Sequence, residues 1–379
     1  MTPFLRYATE KKADIVALIR QLVECESPSD TPVAVNRFTE LLADRTKDIA
    51  SARMIKSSGY GKHLRLEFKL PGRRKRGQIL GLGHSDTVWP LGTLSEMPFR
   101  QANGRLWGPG VLDMKSGLAF FIFAARAVRD LDIPVSRKVV LLVVSDEEVG
   151  SKTSRPVTEA EAKRSDLVLV LEPGTGLAGK LKTARKGVGN YTIRIEGKAS
   201  HAGVDFAAGA SAILEAARQI GKIAGFTNLE RGITVNPGVV SGGTRTNVVA
   251  AEARIEVDCR VERLREAGPL DRKFRSLRPF DRRCQLRVEG GLNRPPMERT
   301  RAVAGLFAKA KAIGSELGLP LEESSTGGGS DGNFTAALGV PTLDGLGGVG
   351  EGAHAVNESI LVSRIPDRTA LLAGLLSRL

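Results

Sequence analysis

Hydrophobic residues in the first half of the chain follow patterns that are typical of an α/β protein. Apolar residues recur at helical spacing in three segments, residues 13–24, 33–42 and 115–128. Continuous apolar and β-branched runs occupy three other segments, residues 78–83, 138–145 and 166–171. Such runs are typical of strands that are buried on both faces of a largely parallel sheet. We therefore predict an α/β fold in which helices flank a largely parallel sheet.

The pattern changes after about residue 180. Alternating polar and apolar residues at 191–197 predict a half-exposed antiparallel strand. The other elements predicted here are a helix at 207–223, strands at 233–240 and 248–257, and a further helix before residue 294. The helix and strand patterns of the first half of the chain resume after residue 297. A chain of 379 residues is also long for a single hydrophobic core. We therefore predict two domains. Residues 1–184 and 295–379 would form one, and residues 185–294 would form an inserted α+β sandwich.

Polar side chains follow each predicted buried strand directly. His84 follows the first strand, Glu147 and Glu148 the second, and Glu172 the third. Ligand sites of open α/β sheets lie beyond the carboxyl ends of the strands, so we expect these side chains at one edge. His84 and Asp86 are two residues apart, which places them on one face of an extended segment. A carboxylate beside a histidine often orients a metal ligand, although a lone histidine here is more often a satisfied surface or core group.

The histidines and acidic residues of the loops together indicate a metal site. Three of the four histidines lie in Gly-rich or acidic loops, and these are His84, His201 and His354. Asp113 ends a loop with several Gly and Pro residues. Each acidic residue alone is more often a solvated loop carboxylate, but two imidazoles and several carboxylates form the ligand set of a carboxylate-bridged two-metal site. Opposite side-chain directions in the pair Glu147-Glu148 would leave one carboxylate for metal and the other as a general base.

Composition narrows the classes of function. The net charge is +14, but the basic runs at 72–77 and 271–283 are not interleaved with aromatic residues, which make up 5% of the chain. We therefore expect no nucleic-acid partner, and interpret the basic surface as solvated or as attractive to anionic substrates. The chain has three cysteines without CxxC spacing, no apolar run of membrane-spanning length and no signal-peptide pattern. We expect a cytoplasmic protein without a membrane partner.

Eight motifs of the chain resemble those of the M20 metallopeptidases. In chain order they are G-H-S-D-T-V at 83–88, G-P-G-V-L-D-M-K-S-G at 108–117, S-D-E-E-V-G-S at 145–151, L-E-P-G at 171–174, K-A-S-H-A-G at 198–203, G-G-T-R-T-N-V-V at 242–249, G-G-G-S-D at 327–331 and G-A-H at 352–354. They occur in the family's order and cover nearly the whole chain. The resemblance implies a di-zinc catalytic domain of the aminopeptidase/carboxypeptidase type, with the inserted domain as lid and dimerisation surface.

The resemblance also implies a role for each residue of the metal site. His84 and Glu172 would bind one zinc ion, Glu148 and His354 would bind the other, and Asp113 would bridge them. Two Zn²⁺ ions per subunit are implied, with Co²⁺ or Mn²⁺ as substitutes. The peptide bond after the bridging aspartate would be cis, which is rare for residues other than proline.

Other residues would act on the substrate or on the reaction. Asp86 would orient the histidine two residues before it. Glu147 would be the general base that deprotonates the metal-bridging water and then gives the proton to the leaving amine. His201 and Asn247 would be lid residues that reach the other active site of a homodimer and stabilise the oxyanion. Arg260 would bind the free carboxylate of the substrate, although an ordinary strand residue of the inserted domain remains the alternative for Asn247 and Arg260.

Details within the family favour its glutamate carboxypeptidase branch. The loop at 108–110 resembles that branch, an aspartate in place of Glu172 would resemble the aminoacylases, and desuccinylases have an arginine where Asn333 stands. Three residues would shape the substrate pocket: Gly328, Gly329 and Ser330. We expect a small, anionic, dipeptide-like substrate with a C-terminal glutamate. The alternatives are an N-acyl-amino-acid or succinyl-diaminopimelate-type deacylase, and a catalytically inactive relative that acts as a binding protein.

Overall fold

The computed structural model describes residues 1–379, which divide into two compact units. The sheet unit consists of Met1–Ala184, Arg299–Ser325 and Ser330–Leu379. The inserted unit consists of Arg185–Glu298 and Thr326–Gly329. Each unit has a sheet and a hydrophobic core of its own.

Eleven α-helices occur along the chain. They are α1 (Pro3–Glu10), α2 (Lys12–Glu24), α3 (Pro32–Asp44), α4 (Thr93–Glu96), α5 (Ser116–Asp130), α6 (Arg155–Ala162), α7 (Ala212–Ala224), α8 (Leu264–Arg275), α9 (Arg301–Glu316), α10 (Gly332–Ala337) and α11 (Ile365–Arg378). Short helical turns of other types lie at Val111–Lys115, Phe206–Ala208 and Val362–Arg364. The longest helix, α9, has 16 residues, and no helix has the length and apolar content needed to span a bilayer.

Sixteen strands form four sheets. They are β1 (Ala50–Ile55), β2 (His63–Phe68), β3 (Gln78–His84), β4 (Arg100–Ala102), β5 (Arg105–Trp107), β6 (Lys138–Val144), β7 (Leu167–Val170), β8 (Leu181–Arg185), β9 (Gly187–Glu196), β10 (Ile233–Gly242), β11 (Glu252–Val261), β12 (Gln285–Arg294), β13 (Glu323–Thr326), β14 (Thr342–Leu343), β15 (Gly350–Glu351) and β16 (Ser359–Leu361). The central sheet has the order β1-β2-β6-β3-β7-β14, and the smaller sheets are β15-β16-β5-β4 and β13-β8. The inserted unit contains the sheet β10-β11-β9-β12.

The central sheet is mostly parallel, as predicted. β3 pairs in parallel with β6 and β7, and β7 pairs in parallel with β14. β1 and β2 extend one edge of the sheet in antiparallel orientation. Helices α1, α2, α5 and α11 cover one face, and α6 packs on the other. Helices on both faces explain why the strand sequences are continuously apolar.

Glycines in β3 allow α5 to pack close to the sheet. A Cβ atom at Gly81 would lie 2.6 Å from the ring of Phe121, and one at Gly83 would lie 2.8 Å from Cδ2 of Leu118. Both distances are shorter than carbon atoms tolerate. The alternation of leucine and glycine before His84 therefore places an apolar helix against one face of the strand while leucines fill the other.

The inserted unit is an antiparallel sheet with helices packed against its buried face. Every second residue of β9 is buried, as its alternating sequence predicts. The predicted helix at 207–223 begins later, at Ala212, because Ser211 caps it by accepting a hydrogen bond from the amide of Leu214 at 3.3 Å. The prediction missed β12, which pairs with β9. The pair Gly290-Gly291 interrupts its alternation of apolar and polar residues.

Candidate metal centre

Three parallel strands end at one edge of the central sheet and carry four of the predicted site residues. His84 is the last residue of β3, Glu147 and Glu148 follow β6, and Glu172 follows β7. Because β3 lies between β6 and β7 and runs parallel to both, their carboxyl ends are adjacent. This is the edge at which open α/β sheets bind ligands.

The first group of potential metal ligands consists of His84, Asp113 and Glu172. Nε2 of His84 lies 3.1 Å from Oδ1 of Asp113 and 3.7 Å from Oε1 of Glu172. One donor atom from each residue lies within 4.8 Å of the other two. The group is shielded from solvent, since His84 and Glu172 are buried and Asp113 is nearly so.

The second group consists of Asp113, Glu148 and His354. Nε2 of His354 lies 3.4 Å from Oδ2 of Asp113 and 3.3 Å from Oε2 of Glu148. The donor atoms again lie within 4.8 Å of one another. Asp113 belongs to both groups and directs one carboxylate oxygen towards each histidine. A carboxylate shared in this way is the arrangement found between the ions of two-metal sites.

The backbone around Asp113 has an unusual local structure. Asp113 lies in the irregular helical turn Val111–Lys115 that leads into α5. The peptide bond between Asp113 and Met114 is cis, as the resemblance implied. Sδ of Met114 accepts a hydrogen bond from the amide of His84 at 3.3 Å. The turn that carries the shared carboxylate is thus attached directly to the end of β3.

Strand pairing brings His354 to the site from the far end of the sequence. The turn that contains His354 connects β15 to β16, and β16 pairs with β5, which precedes the loop to Asp113. His354 has a φ of 61°, in the left-handed region that residues other than glycine seldom adopt. Strained backbone of this kind is concentrated at functional sites.

The carboxylate of Asp86 contacts more than the histidine that it was predicted to orient. Nδ1 of His84 lies 2.9 Å from the backbone carbonyl oxygen of Asp86 and 3.6 Å from its Oδ1. The buried carboxylate accepts hydrogen bonds from the hydroxyl of Ser29 at 2.7 Å and from the amides of Glu147 and Glu148, both at 3.2 Å. Asp86 therefore also fixes the backbone of the two adjacent glutamates.

Glu147 and Glu148 differ in burial, and the opposite side-chain directions predicted for an extended segment do not apply to them. They lie in a turn, in which the amide of Gly150 donates to the carbonyl of Glu147 at 3.0 Å, and not in an extended segment. The side chain of Glu148 is 7% exposed and faces His354. Glu147 is only half-buried and belongs to neither group of ligands. Burial, and not strand geometry, distinguishes the two carboxylates.

Burial and neighbouring charges shift the pKa values of the site. Hydrogen bonds to Asp113 and Glu148 raise the pKa of His354 to about 10. Burial acts to lower the pKa of His84, but the hydrogen bond and the charge of Asp113 outweigh it and raise that pKa well above the usual value. Burial raises the pKa of Glu148 to about 7. Perturbed pKa values with specific charge partners are concentrated at functional sites.

The residues of both groups fit divalent metal ions such as zinc. Imidazole nitrogens and carboxylate oxygens are ligands that Zn²⁺ accepts. Oε1 of Glu148 is buried and has no hydrogen-bond partner, which is costly for a carboxylate unless a cation balances it. Three carboxylates around one point would also repel one another without positive charge between them.

We expect metal binding to release protons. Ligation needs neutral imidazoles and ionised carboxylates, whereas the pKa of about 10 keeps the imidazole of His354 protonated at neutral pH in the metal-free protein. The apparent affinity for zinc should therefore rise with pH up to about pH 10, the pKa of His354. Calorimetric titration in two buffers of different ionisation enthalpy should detect the release of protons on zinc binding near neutral pH. A zinc affinity that stays the same between about pH 6 and about pH 8 would contradict this expectation.

His201 and Asn247 are exposed residues of the inserted unit. They lie on neighbouring segments, in which the amide of Ala202 donates to the carbonyl of Asn247 at 2.9 Å. Nδ1 of His201 accepts a hydrogen bond from the amide of Gly203 at 3.1 Å. A neutral imidazole whose Nδ1 accepts carries its proton on Nε2. Nε2 of His201 is therefore the ring nitrogen that can donate a hydrogen bond.

The guanidinium group of Arg260 already has partners in the inserted unit. Nη2 lies 2.8 Å from Oδ2 of Asp258, Nε donates to both oxygens of the same carboxylate, and Nη1 donates to the carbonyl of Gly327 at 3.2 Å. To bind a substrate carboxylate as predicted, Arg260 would have to release the carboxylate of Asp258.

Gly328, Gly329 and Ser330 make contacts within their own units. The carbonyls of Gly328 and Gly329 accept hydrogen bonds from Nη1 of Arg185 at 3.2 and 3.1 Å. A Cβ atom at Gly329 would lie 2.9 Å from Cγ2 of Val188, so the close approach predicted for this glycine is present. Ser330 is buried in the sheet unit, where its hydroxyl donates to Asp344 at 2.8 Å.

Sequence reasoning missed two residues that support the candidate metal centre. Ser29 donates a hydrogen bond to Asp86, but it lies between two predicted helices and outside every motif considered. Glu358 is buried and accepts hydrogen bonds from the loop that carries Asp113. Its position four residues after His354 was the only available signal.

A mostly parallel α/β sheet with an aspartate shared by two groups of potential metal ligands is typical of two-metal hydrolases. The chain belongs to peptidase family M20/M25/M40, whose family model matches residues 81–378. It is thus a metallopeptidase, an enzyme that hydrolyses amide bonds.

Individual relatives agree with this assignment. Carboxypeptidase G2 of Pseudomonas sp. (strain RS-16) is 27% identical in an alignment that covers 97% of this chain and 90% of that protein. A succinyl-diaminopimelate desuccinylase of Cereibacter sphaeroides is 28% identical in an alignment that covers 96% of this chain and 98% of that protein. The crystal structure of aminopeptidase PepT from Bacillus cereus has the same fold, with a TM-score of 0.80, 23% identity and coverage of 97% and 98%.

Proposed function

We propose that this enzyme is a carboxypeptidase that releases a C-terminal glutamate from N-acyl, peptidyl or folate-like substrates. The observation that carries the proposal is the sharing of Asp113 by two groups of metal ligands, with Glu147 on the adjoining turn. Similarity to carboxypeptidase G2 over 97% of the chain supports the choice of a carboxypeptidase within the family. The high positive charge of the chain favours an anionic substrate.

The residues of the candidate metal centre suggest how the amide bond is cleaved. Two zinc ions held by the two groups would polarise the scissile carbonyl and increase the acidity of water. Glu147 would accept a proton from the attacking water and transfer it to the leaving nitrogen. Asp86 holds the backbone of Glu147 in place through the amide hydrogen bond at 3.2 Å. In the proposed homodimer, His201 would donate a hydrogen bond from Nε2 to the oxyanion that develops in the other subunit's active site.

Recognition of the free carboxylate is assigned to Arg260 in this proposal. We expect Arg260→Lys to raise KM for an N-acyl-glutamate about 10- to 100-fold, because lysine cannot form the paired hydrogen bonds of a guanidinium group. The value of kcat should change little. The same variant should hardly affect an N-acyl-glutamate whose α-carboxylate is converted to an amide, and steady-state kinetics with both substrates provides the measurement.

Arg254 offers a matched control for this experiment. It lies on β11 with Arg260 and pairs with the carboxylate of Glu256 at 2.9 Å, as Arg260 pairs with Asp258. We expect Arg254→Lys to leave KM for both substrates unchanged. Equal changes in the two variants would show that β11 tolerates lysine poorly, and would contradict a specific role for Arg260.

A deacylase of the succinyl-diaminopimelate type is the second candidate function, because one relative with that name is 28% identical to this chain. Asn333 argues against it. Asn333 is buried, and its Oδ1 accepts a hydrogen bond from the amide of Ser330 at 2.9 Å. It therefore has a structural role at the position where desuccinylases have an arginine. Turnover of N-acyl-glutamate, N-succinyl-diaminopimelate and neutral N-acetyl substrates, compared side by side, distinguishes the candidates.

A homodimer formed through the inserted unit remains part of the proposal. β10 is an edge strand, and its residues Val239 and Val240 are more than half exposed. Exposed apolar edge strands are templates for pairing with another chain. Sedimentation velocity measurements on the purified protein test this assembly, and a monomer at all concentrations would contradict it.

A further inference from the structure

Glu358 is a buried carboxylate that belongs to neither group of metal ligands. Its side chain has no exposed surface. Oε1 accepts hydrogen bonds from the amides of Leu112 at 2.8 Å and Asp113 at 3.0 Å. Oε2 accepts hydrogen bonds from the amide of Gly110 and from the indole of Trp89, both at 2.9 Å. Each carboxylate oxygen therefore has two donors.

The four donors and Glu358 itself lie on the segments that carry the ligands. Trp89 follows the end of β3, five residues after His84, and the three amides belong to the loop that carries Asp113. Glu358 lies four residues after His354 and directly before β16. One side chain thus connects the segments of three ligands that are distant in the sequence.

The loop before α5 needs such an acceptor. The first amides of a helical turn have no partner within the turn, and a nearby side chain usually caps them. Here the capping position is Gly110, which has no side chain to serve as a cap. Glu358 supplies the missing acceptor from 245 residues further along the chain. A negative charge is also favoured at the amino end of a helical turn.

We propose that Glu358 is a positioning residue that holds the carboxylate of Asp113 between the two groups of ligands. It does not touch the donor atoms of either group and acts through the backbone of the loop at 110–113. Because it also lies on the His354 segment, it sets the distance between the shared aspartate and the second histidine. This inference rests on the proposed function, since it requires that the site binds two metal ions.

The variant Glu358→Gln tests the proposal. Glutamine has the same shape but replaces one oxygen by an NH₂ group, which would face two N–H donors. We expect the affinity of the metal-depleted protein for Zn²⁺, measured by competition with a chromophoric chelator, to fall about 10- to 100-fold, as for other residues that orient metal ligands. The absorption spectrum of the Co²⁺-loaded protein should change, kcat should fall with the metal affinity, and KM should change by less than about threefold.

Glu215→Gln is the matched control. Glu215 is also buried, and its carboxylate accepts hydrogen bonds from the amides of Phe280 and Asp281 in the inserted unit. The control should lower the melting temperature of the protein but leave its Zn²⁺ affinity and Co²⁺ spectrum unchanged. A loss of Zn²⁺ affinity in Glu358→Gln but not in Glu215→Gln supports the proposal.

Other outcomes overturn it. If the wild-type protein binds two Zn²⁺ ions and Glu358→Gln binds them equally tightly, this inference fails and the proposed function stands. If the wild-type protein binds no pair of ions, both fail. If Glu358→Gln does not fold, the variant Trp89→Phe tests the proposal instead. It removes one of the four hydrogen-bond donors to Glu358 and should weaken Zn²⁺ binding about threefold. Unchanged binding in Trp89→Phe would then reject the proposal.

Discussion

Glu147→Gln is expected to remove most of the turnover and to leave the metal centre loaded. Glutamine has nearly the shape of glutamate but cannot accept a proton from water. Loss of a general base lowers kcat about 100- to 10,000-fold. Glu147 belongs to neither group of metal ligands, so the content of bound zinc, measured by atomic emission on the purified variant, should equal that of the wild type.

The neighbouring glutamate provides the control. Glu148 lies in the second group of ligands, 3.3 Å from Nε2 of His354. We expect Glu148→Gln to lose one of the two ions as well as activity, whereas Glu147→Gln loses activity alone. If Glu147→Gln turned over substrate at the wild-type rate, or lost its metal, the assignment of the base would be wrong.

Asp113→Asn is expected to have an even larger effect, because both groups depend on this residue. Its two oxygens face different histidines, at 3.1 Å from His84 and 3.4 Å from His354. Asparagine offers only one oxygen and no charge, so it cannot bridge two cations. We expect the affinity for the pair of ions to fall by more than about 100-fold. This loss is larger than the loss caused by removing a residue that only orients a metal ligand. Activity should fall below detection.

Glu172→Gln distinguishes the shared ligand from an unshared one. Glu172 belongs only to the group that contains His84. Titration of the metal-depleted variants with zinc should therefore find one tight ion in Glu172→Gln and none in Asp113→Asn. A tight pair of ions in Asp113→Asn would contradict the bridging role.

Much of the sheet could be predicted from the sequence because its strands are short and buried on both faces. The runs before His84, Glu147 and Glu172 are continuous in apolar residues, and the structure contains β3, β6 and β7 there. The inserted unit was less predictable. β12 is half-exposed and contains the pair Gly290-Gly291, so its place beside β9 depends on a pairing that its own sequence hardly indicates.

The candidate metal centre was predictable in part for the same reason. Residues at the ends of parallel neighbouring strands must be close together, so local sequence sufficed for His84 and Glu172. Local geometry was misleading for the pair Glu147-Glu148, because a turn and not a strand carries it. The hydrogen bonds that the backbone amides of Glu147 and Glu148 donate to the carboxylate of Asp86 could not be predicted either, since they join residues that are 61 and 62 positions apart.

By itself, the sequence determined which side chains are available and where each strand delivers them. The two histidines of the candidate site, its carboxylates and the proposed base are recognisable from residue type and from the elements that precede them. Only the tertiary structure decided how the segments are joined. Pairing of β16 with β5 brings His354 to Asp113, and the carboxylate of Glu358 secures the loop between them. Contacts between distant segments depend on the packing of the whole sheet unit, which no local pattern encodes.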